Sequence, residues 1–239
     1  IHEVGHNFFP MIINSDERST TVKTRVIGNK HQVLRVDSEN EHPLSTVENT
    51  QLTHVVEKII ETKKIDVLIF QDYDKGVITK EIITSIVSLC NTKNIPTAVD
   101  PKKRNFNDYK HVTLFKPNLK ELKEGLNINL SPSEINKIKA ALEQLNELQH
   151  NKINFVTLSD YGVLIKEEDT THHISAHIRS IADVSGAGDT VISVASLCLA
   201  LHQPIKIIAE IANISGGLVC ESVGVVPIDK DQLLSETIT

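Results

Sequence analysis

The stretch DVSGAGDTVISVASLCLA (183–200) holds the residues best placed to do chemistry. Gly186 and Gly188 let the backbone turn tightly, and an apolar helix is predicted to begin immediately after. The first amides of a helix lack internal partners and lie at its positive end. Here they are those of Ala187, Gly188 and Asp189, and they form an anion site suited to a transferring phosphoryl group. Asp189 adds a carboxylate able to accept a proton. A base beside an anion hole is what phosphoryl transfer to a hydroxyl requires. The same residues also make an ordinary helix start, because Asp is a favoured capping residue.

A second motif stands at the start of the chain. His2, Glu3 and His6 spell H-E-x-x-H, which on a helix puts two imidazoles on one face for zinc and a glutamate beside them as base. HEVGHNFFPMIINSDER resembles the active-site helix of aminopeptidase-like zinc proteases, which use a downstream glutamate as third ligand. That position falls here on Arg25, a cation that would repel zinc. The likeness stops near Arg18. Residues 1–18 therefore read as a foreign or vestigial segment, and the start at Ile1 reads as a cut edge.

The elements that must position Asp189 follow from periodicity. TVKTRVIGNKHQVLRVD alternates apolar or β-branched with polar residues and predicts a hairpin, Thr21–Ile27 and Gln32–Val36, turning at Gly28-Asn29. A helix is expected from about Asn49 to Thr62. DVLIF (66–70) is a short apolar run of the kind buried parallel strands show. A helix at Thr79–Thr92 and strands at PTAVD and VTLF come next. NLKELKEGL is helical to about Gly125. SPSEINKIKAALEQLNELQH starts with Ser131 as N-cap, Pro132 in the first position and Glu134 closing a capping box. NFVTL and GVLIKE pair around Ser159–Gly162, and THHISA adds a strand. Two apolar helices, about Gly188–Leu201 and Ile205–Cys220, follow. Alternating strands and helices predict an α/β fold with a largely parallel sheet.

Bulk properties narrow the partners. A hydrophobic content of 40% over 239 residues supports a substantial core. A net charge of −6 without a basic stretch argues against nucleic acid and anionic membranes. Cys90, Cys198 and Cys220 are scattered and read as reduced thiols of a cytoplasmic protein. No apolar run reaches membrane-spanning length, and no signal peptide is visible.

Residues 183–200 resemble the D-T-x-G-A-G-D signature of the PfkB, or ribokinase-like, carbohydrate kinases, with Val184-Ser185 in place of Thr-x. KPNLKEL resembles that family's N-x-x-E element, which implies that Asn118 and Glu121 order Mg²⁺ and its waters at the nucleotide phosphates. AVDPK sets Asp100 and Lys102 past a strand end, the ligand edge of an open parallel sheet. Lys102 and Lys116 are the candidate phosphate cations. FVTLSDYGVLI and ANISGGLVCESVGV resemble the nucleotide-side elements, placing Ser159, Gly162 and Asn213 near the nucleotide. The likeness spans residues 19–239 and implies a three-layer ribokinase-like fold with a small β lid at about 20–37, and ATP, Mg²⁺ and a monovalent cation as cofactors. Within the family it is nearest the heptose-7-phosphate kinases of lipopolysaccharide precursor synthesis. Lys23 and Arg25 of the lid, and Asp72 and Lys75 of QDYDKG, are then candidate substrate residues. The resemblance also implies dimers through lid strands. The family's N-terminal part of the sheet, with its G-G-x-x-N sugar-binding element, has no counterpart in this sequence. Four readings stand at this level: a heptose 7-phosphate kinase, a kinase of another sugar, a zinc peptidase fragment, and an inactive nucleotide-binding remnant.

Overall fold

Alternating apolar residues make each strand two-faced, and the computed structural model, which describes residues 9–28, 31–177 and 179–237, uses both faces. The large sheet comprises β3 (Leu68–Gln71), β4 (Thr97–Asp100), β5 (Leu114–Phe115), β6 (Ile153–Thr157), β7 (Val163–Glu167) and β8 (Thr170–Ile174), paired in that order. The first four strands are parallel, and β7 and β8 join antiparallel. Val99, Phe115, Val156 and Leu164 point to one face, where α1 (Thr46–Thr62), α2 (Lys80–Thr92), α3 (Leu119–Leu126) and α4 (Ile135–Gln149) pack. Their neighbours Ala98, Leu114, Phe155, Val163 and Ile165 point to the other, under α5 (Ala187–Ala200) and α6 (Ile205–Val219). Two cores separated by one sheet make three layers, as period-two alternation requires.

The hairpin forms a separate two-stranded sheet, β1 (Val22–Gly28) and β2 (His31–Ser38), with a register shift between Val26 and Ile27. Asn29 of the predicted turn lies outside the described residues. Val22, Val26, Leu34 and Val36 face one way and are exposed, while Lys23, Arg25, Arg35 and Asp37 alternate with them. Glu39 binds Lys23 at 3.3 Å and also pairs with Lys75, tying the hairpin to the body.

Two helix starts differ from expectation. Helix α1 begins at Thr46, because Ser45 and Glu48 form a capping box ahead of the apolar periodicity. Helix α4 begins at Ile135 rather than beside Ser131. The Ser131 hydroxyl meets Ser133 Oγ at 3.1 Å instead of a helical amide. Only the return half of the expected box forms, with Glu134 Oε2 accepting from Ser131 N at 2.8 Å. A further helix, α7 (Lys230–Thr237), was not anticipated, since no buried apolar stripe marks it. It is anchored through Glu236, which pairs with Arg179. No helix among the described residues is long and apolar enough to cross a membrane.

Asp72 lies on the lining of the cleft below the hairpin, with its carboxylate bonded within the fold. It is 2% exposed and its oxygens point inward. Oδ2 accepts from Asn105 Nδ2 at 2.8 Å and Tyr109 O–H at 3.1 Å, and Oδ1 from the Asp74 amide at 2.7 Å. Burial, followed by the charge of Asp72, pushes the Tyr109 phenol far up, so it stays a donor. Asp72 thus braces the loop after β3 against the β4–β5 connection rather than offering a free carboxylate to a ligand. Asp72→Ala orphans two buried donors and is expected to lower the unfolding free energy by about 2 kcal/mol in urea titrations. Michaelis constants are expected to stay near those of the parent protein; a selective rise in one of them would restore a substrate role.

Candidate active site

Strands β3 and β4 run parallel in a register that sets Gln71 beside Asp100 at their carboxyl ends. In an open parallel sheet this is the edge where ligands collect. Helix α5 begins directly over it. Gly186 precedes the helix with φ +85°, a left-handed conformation that strains any other residue. The turn is braced by Asp183, whose carboxylate accepts from Ser185 N at 2.9 Å and Gly224 N at 3.1 Å. A Cβ at Gly188 would lie 3.8 Å from Asp100 Oδ2 and 4.0 Å from Lys116 Nζ, so the turn's backbone rests close above that ion pair.

Asp189 is half-buried and faces the strand ends. Its Oδ1 accepts from Gln71 Nε2 at 2.9 Å and from Tyr73 O–H at 3.1 Å. Gln71 Nε2 also lies 3.2 Å from Asp100 Oδ2. Asp100 Oδ1 makes no hydrogen bond but faces Lys116 Nζ at 3.3 Å and Lys102 Nζ at 3.6 Å. Lys116, a candidate phosphate cation, is 2% exposed. Lys102 reaches on to Glu121. Burial works against the Lys102 charge, yet Asp100 and Glu121 outweigh it and hold the ammonium above the ordinary lysine value. Of the three amides expected to form the anion hole, that of Ala187 donates to Val184 O at 3.3 Å. Those of Gly188 and Asp189 make no hydrogen bond among the described residues.

Asn118 caps α3, and its side chain accepts from Glu121 N at 2.9 Å, while Glu121 Oε2 accepts from Asn118 N at 2.8 Å. This closed box fixes the Glu121 carboxylate at the Lys102 end of the cluster. Among the described residues no group of three His, Cys, Asp or Glu side chains forms a metal cage. The carboxylates of Asp100 and Glu121 are paired here with Lys102 and Lys116, so a Mg²⁺ ion would meet them through its own water rather than directly.

The other expected residues fall into two further groups. Ser159 and Gly162 form the turn between β6 and β7, and Asn213 Nδ2 donates to Ser175 O at 2.9 Å. Gly162, at φ +82°, lies so close under Ile174 O that a Cβ would sit 2.0 Å away. Gly162 and Asn213 therefore converge on residues 174–176, at and just past the end of β8, and Ser159 shares the Gly162 turn. Lys23 and Lys75 line a cleft of about 840 Å³ with Gln71 and Tyr73, walled by Leu52, Ile69 and other apolar side chains. Burial only partly offsets Glu39 and Glu41, which hold Lys75 above its ordinary value, Glu39 most strongly. Arg25 stands apart, facing Arg35 across the hairpin. His2 and His6 lie outside the described residues. Gln71 and Tyr73 were missed by sequence reading; the rule that flagged Asp100 at a strand end applies equally to Gln71.

The model of the pfkB family carbohydrate kinases matches residues 9–231. The bifunctional protein HldE of Methylobacillus flagellatus is 34% identical over 219 residues, covering 92% of this chain and 44% of that protein. HldE of Helicobacter pylori strain J99 is 36% identical over 208 residues, covering 87% and 44%. The chain thus spans less than half the length of these relatives. Among solved structures, phosphofructokinase-2 of Escherichia coli in complex with potassium superposes with a TM-score of 0.72 at 19% identity, over 84% of this chain and 65% of that one. Arabidopsis thaliana ribokinase complexed with ribose and ATP gives 0.63 at 15% identity, over 84% and 64%. At these identities the structures establish a shared fold.

Acid should loosen the turn beneath the site. The Ser185 amide and hydroxyl, then the Gly224 amide, hold the Asp183 carboxyl below its ordinary value of 3.8. A carboxylate depressed on folding contributes stability that is complete above its unfolded value and is lost as pH falls through the folded one. Melting temperature is therefore expected to fall below about pH 4 in the parent protein, and less steeply in Asp183→Ala. Identical acid limbs would mean the brace carries no linked stability.

Proposed function

The chain belongs to the pfkB family of carbohydrate kinases, and from that premise we propose that it transfers the γ-phosphoryl group of ATP to the anomeric hydroxyl of a heptose 7-phosphate. The observation that carries this reading is Asp189, held at Oδ1 by Gln71 and Tyr73 beside two open helix amides. Asp189 takes the proton of the attacking hydroxyl, and that oxygen forms its bond to the γ-phosphorus as the bond to ADP breaks. The amides of Gly188 and Asp189 stabilise the charge on the transferring group. Lys102 and Lys116, on the Asp100 side of the same turn, offset phosphate charge. Mg²⁺ bound with the nucleotide would be held through water by Glu121, which Asn118 orients, and would supply further charge neutralisation. Ser159, Gly162 and Asn213 frame the nucleotide side at the end of β8.

The sugar phosphate is assigned to the cleft lined by Lys23 and Lys75. Both lysines are paired with Glu39 here, so a phosphate entering the cleft competes with that carboxylate. The heptose assignment is supported by the likeness to heptose-7-phosphate kinases and by the identity to HldE proteins. The product is the 1,7-bisphosphate, a precursor on the way to ADP-heptose and lipopolysaccharide. The exposed apolar face of the hairpin supports pairing of two copies through the lid.

Purified protein with ATP, Mg²⁺ and a panel of sugar phosphates is expected to release ADP fastest with heptose 7-phosphate. Asp189→Asn is expected to lose at least ~100-fold in kcat while still binding ATP. Equal turnover in that variant would reject Asp189 as the base, and a preference for another sugar would reassign the substrate. Sedimentation is expected to show a dimer that Leu34→Glu converts to a monomer; a monomeric parent protein would remove the lid interface.

A further inference from the structure

We propose that Gln71 is the positioning residue of this site, its side-chain amide bridging Asp189 and Asp100 so that Asp189 Oδ2 is kept for the substrate hydroxyl. The inference rests on Asp189 being the base. Gln71 has two N–H donors on one nitrogen, and that nitrogen lies 2.9 Å from Asp189 Oδ1 and 3.2 Å from Asp100 Oδ2. The reversed amide would aim its oxygen at two carboxylates, so the surroundings dictate the orientation. Both donors are thereby used, one on each acid.

The chemistry of the bridge is specific. A lysine here would pair with the base and oppose proton uptake, whereas a glutamate would add a third negative charge. A neutral donor holds two anions in place without adding a charge of either sign. Tyr73 adds its own O–H to the same Oδ1. Burial, then the nearby Asp189 charge, pushes the Tyr73 phenol above its ordinary value, so it stays a donor. Two donors on Oδ1 fix the carboxylate's rotation, and no described residue donates to Oδ2. Gln71 is also the last residue of β3, locked to Asp100 by strand pairing, so the bridge is mounted on sheet rather than on loop. Supporting groups on regular elements hold a reacting carboxylate to the sub-ångström placement that catalysis needs.

Gln71→Met keeps the volume and removes both donors. The expected result is a kcat about tenfold lower or more, with KM for ATP changing less than about twofold and an unchanged melting temperature. A merely structural residue would instead lower the melting temperature and leave kcat of the folded fraction alone. Unchanged kcat in Gln71→Met overturns the proposal. A second measurement needs no turnover: the Gln71 side-chain amide resonances of ¹⁵N-labelled protein, assigned by triple-resonance spectroscopy, are expected to shift in Asp189→Ala. Resonances that stay in place overturn the bridge, whether or not Gln71→Met folds. A parent protein inactive on every sugar would count against the kinase reading, and the resonance test would still decide the bridge.

Discussion

The buried ion pair between Lys116 and Asp100 is the contact around which the site is assembled. An ammonium 2% exposed is tolerable only with an anion beside it, and removing either partner leaves an uncompensated charge at a cost of about 3–5 kcal/mol. Asp100 can meet Lys116 because β4 and β5 are parallel neighbours ending on the same edge. Three other groups then gather on Asp100: Lys102 from the following loop, Gln71 from β3, and the Gly188 backbone from above. Each reaches it from a different element, so the carboxylate ties the sheet edge to the start of α5.

That helix start is held as firmly from its other side. Val191, Ile192, Ala195, Cys198 and Leu199 bury α5 against the sheet and α6. Gly216 of α6 lies under Val191, where a Cβ would come within 2.6 Å. Close helix packing of this kind leaves the first turn of α5 little freedom. Open amides that cannot reorganise are worth more to a developing anion than the same amides on a mobile loop.

The hairpin contrasts with this rigidity. A two-stranded sheet is marginal by itself, and here it joins the body mainly through charged contacts. Lys23, Glu39 and Lys75 form one strap, and Arg18 another, reaching the backbone oxygens of His42 and Lys75. Ion pairs of partly exposed groups are weak and exchangeable. A ligand phosphate can therefore trade places with Glu39 without disturbing the core, which suits an element that covers a cleft.

Local chemistry was legible in the chain itself. The Gly186-to-Asp189 turn, the apolar helix after it, the Asn118–Glu121 pair and every strand of the large sheet follow from spacings of a few residues, and the structure has them where those spacings place them. The start at Thr46 was misplaced because its capping box lies ahead of the apolar periodicity, and that at Ile135 because the Ser131 hydroxyl turns to Ser133. Distance along the chain sets the boundary of what could be read. Gln71 and Tyr73 lie 118 and 116 residues from Asp189, and the Asp72 carboxylate, on the lining of the cleft, is held by Asn105 and Tyr109. Lys116 is a core residue only because Asp100 is its neighbour across the sheet. Periodicity tells which face of an element is apolar, but strand order and register decide which polar side chains meet, and those are properties of the folded sheet.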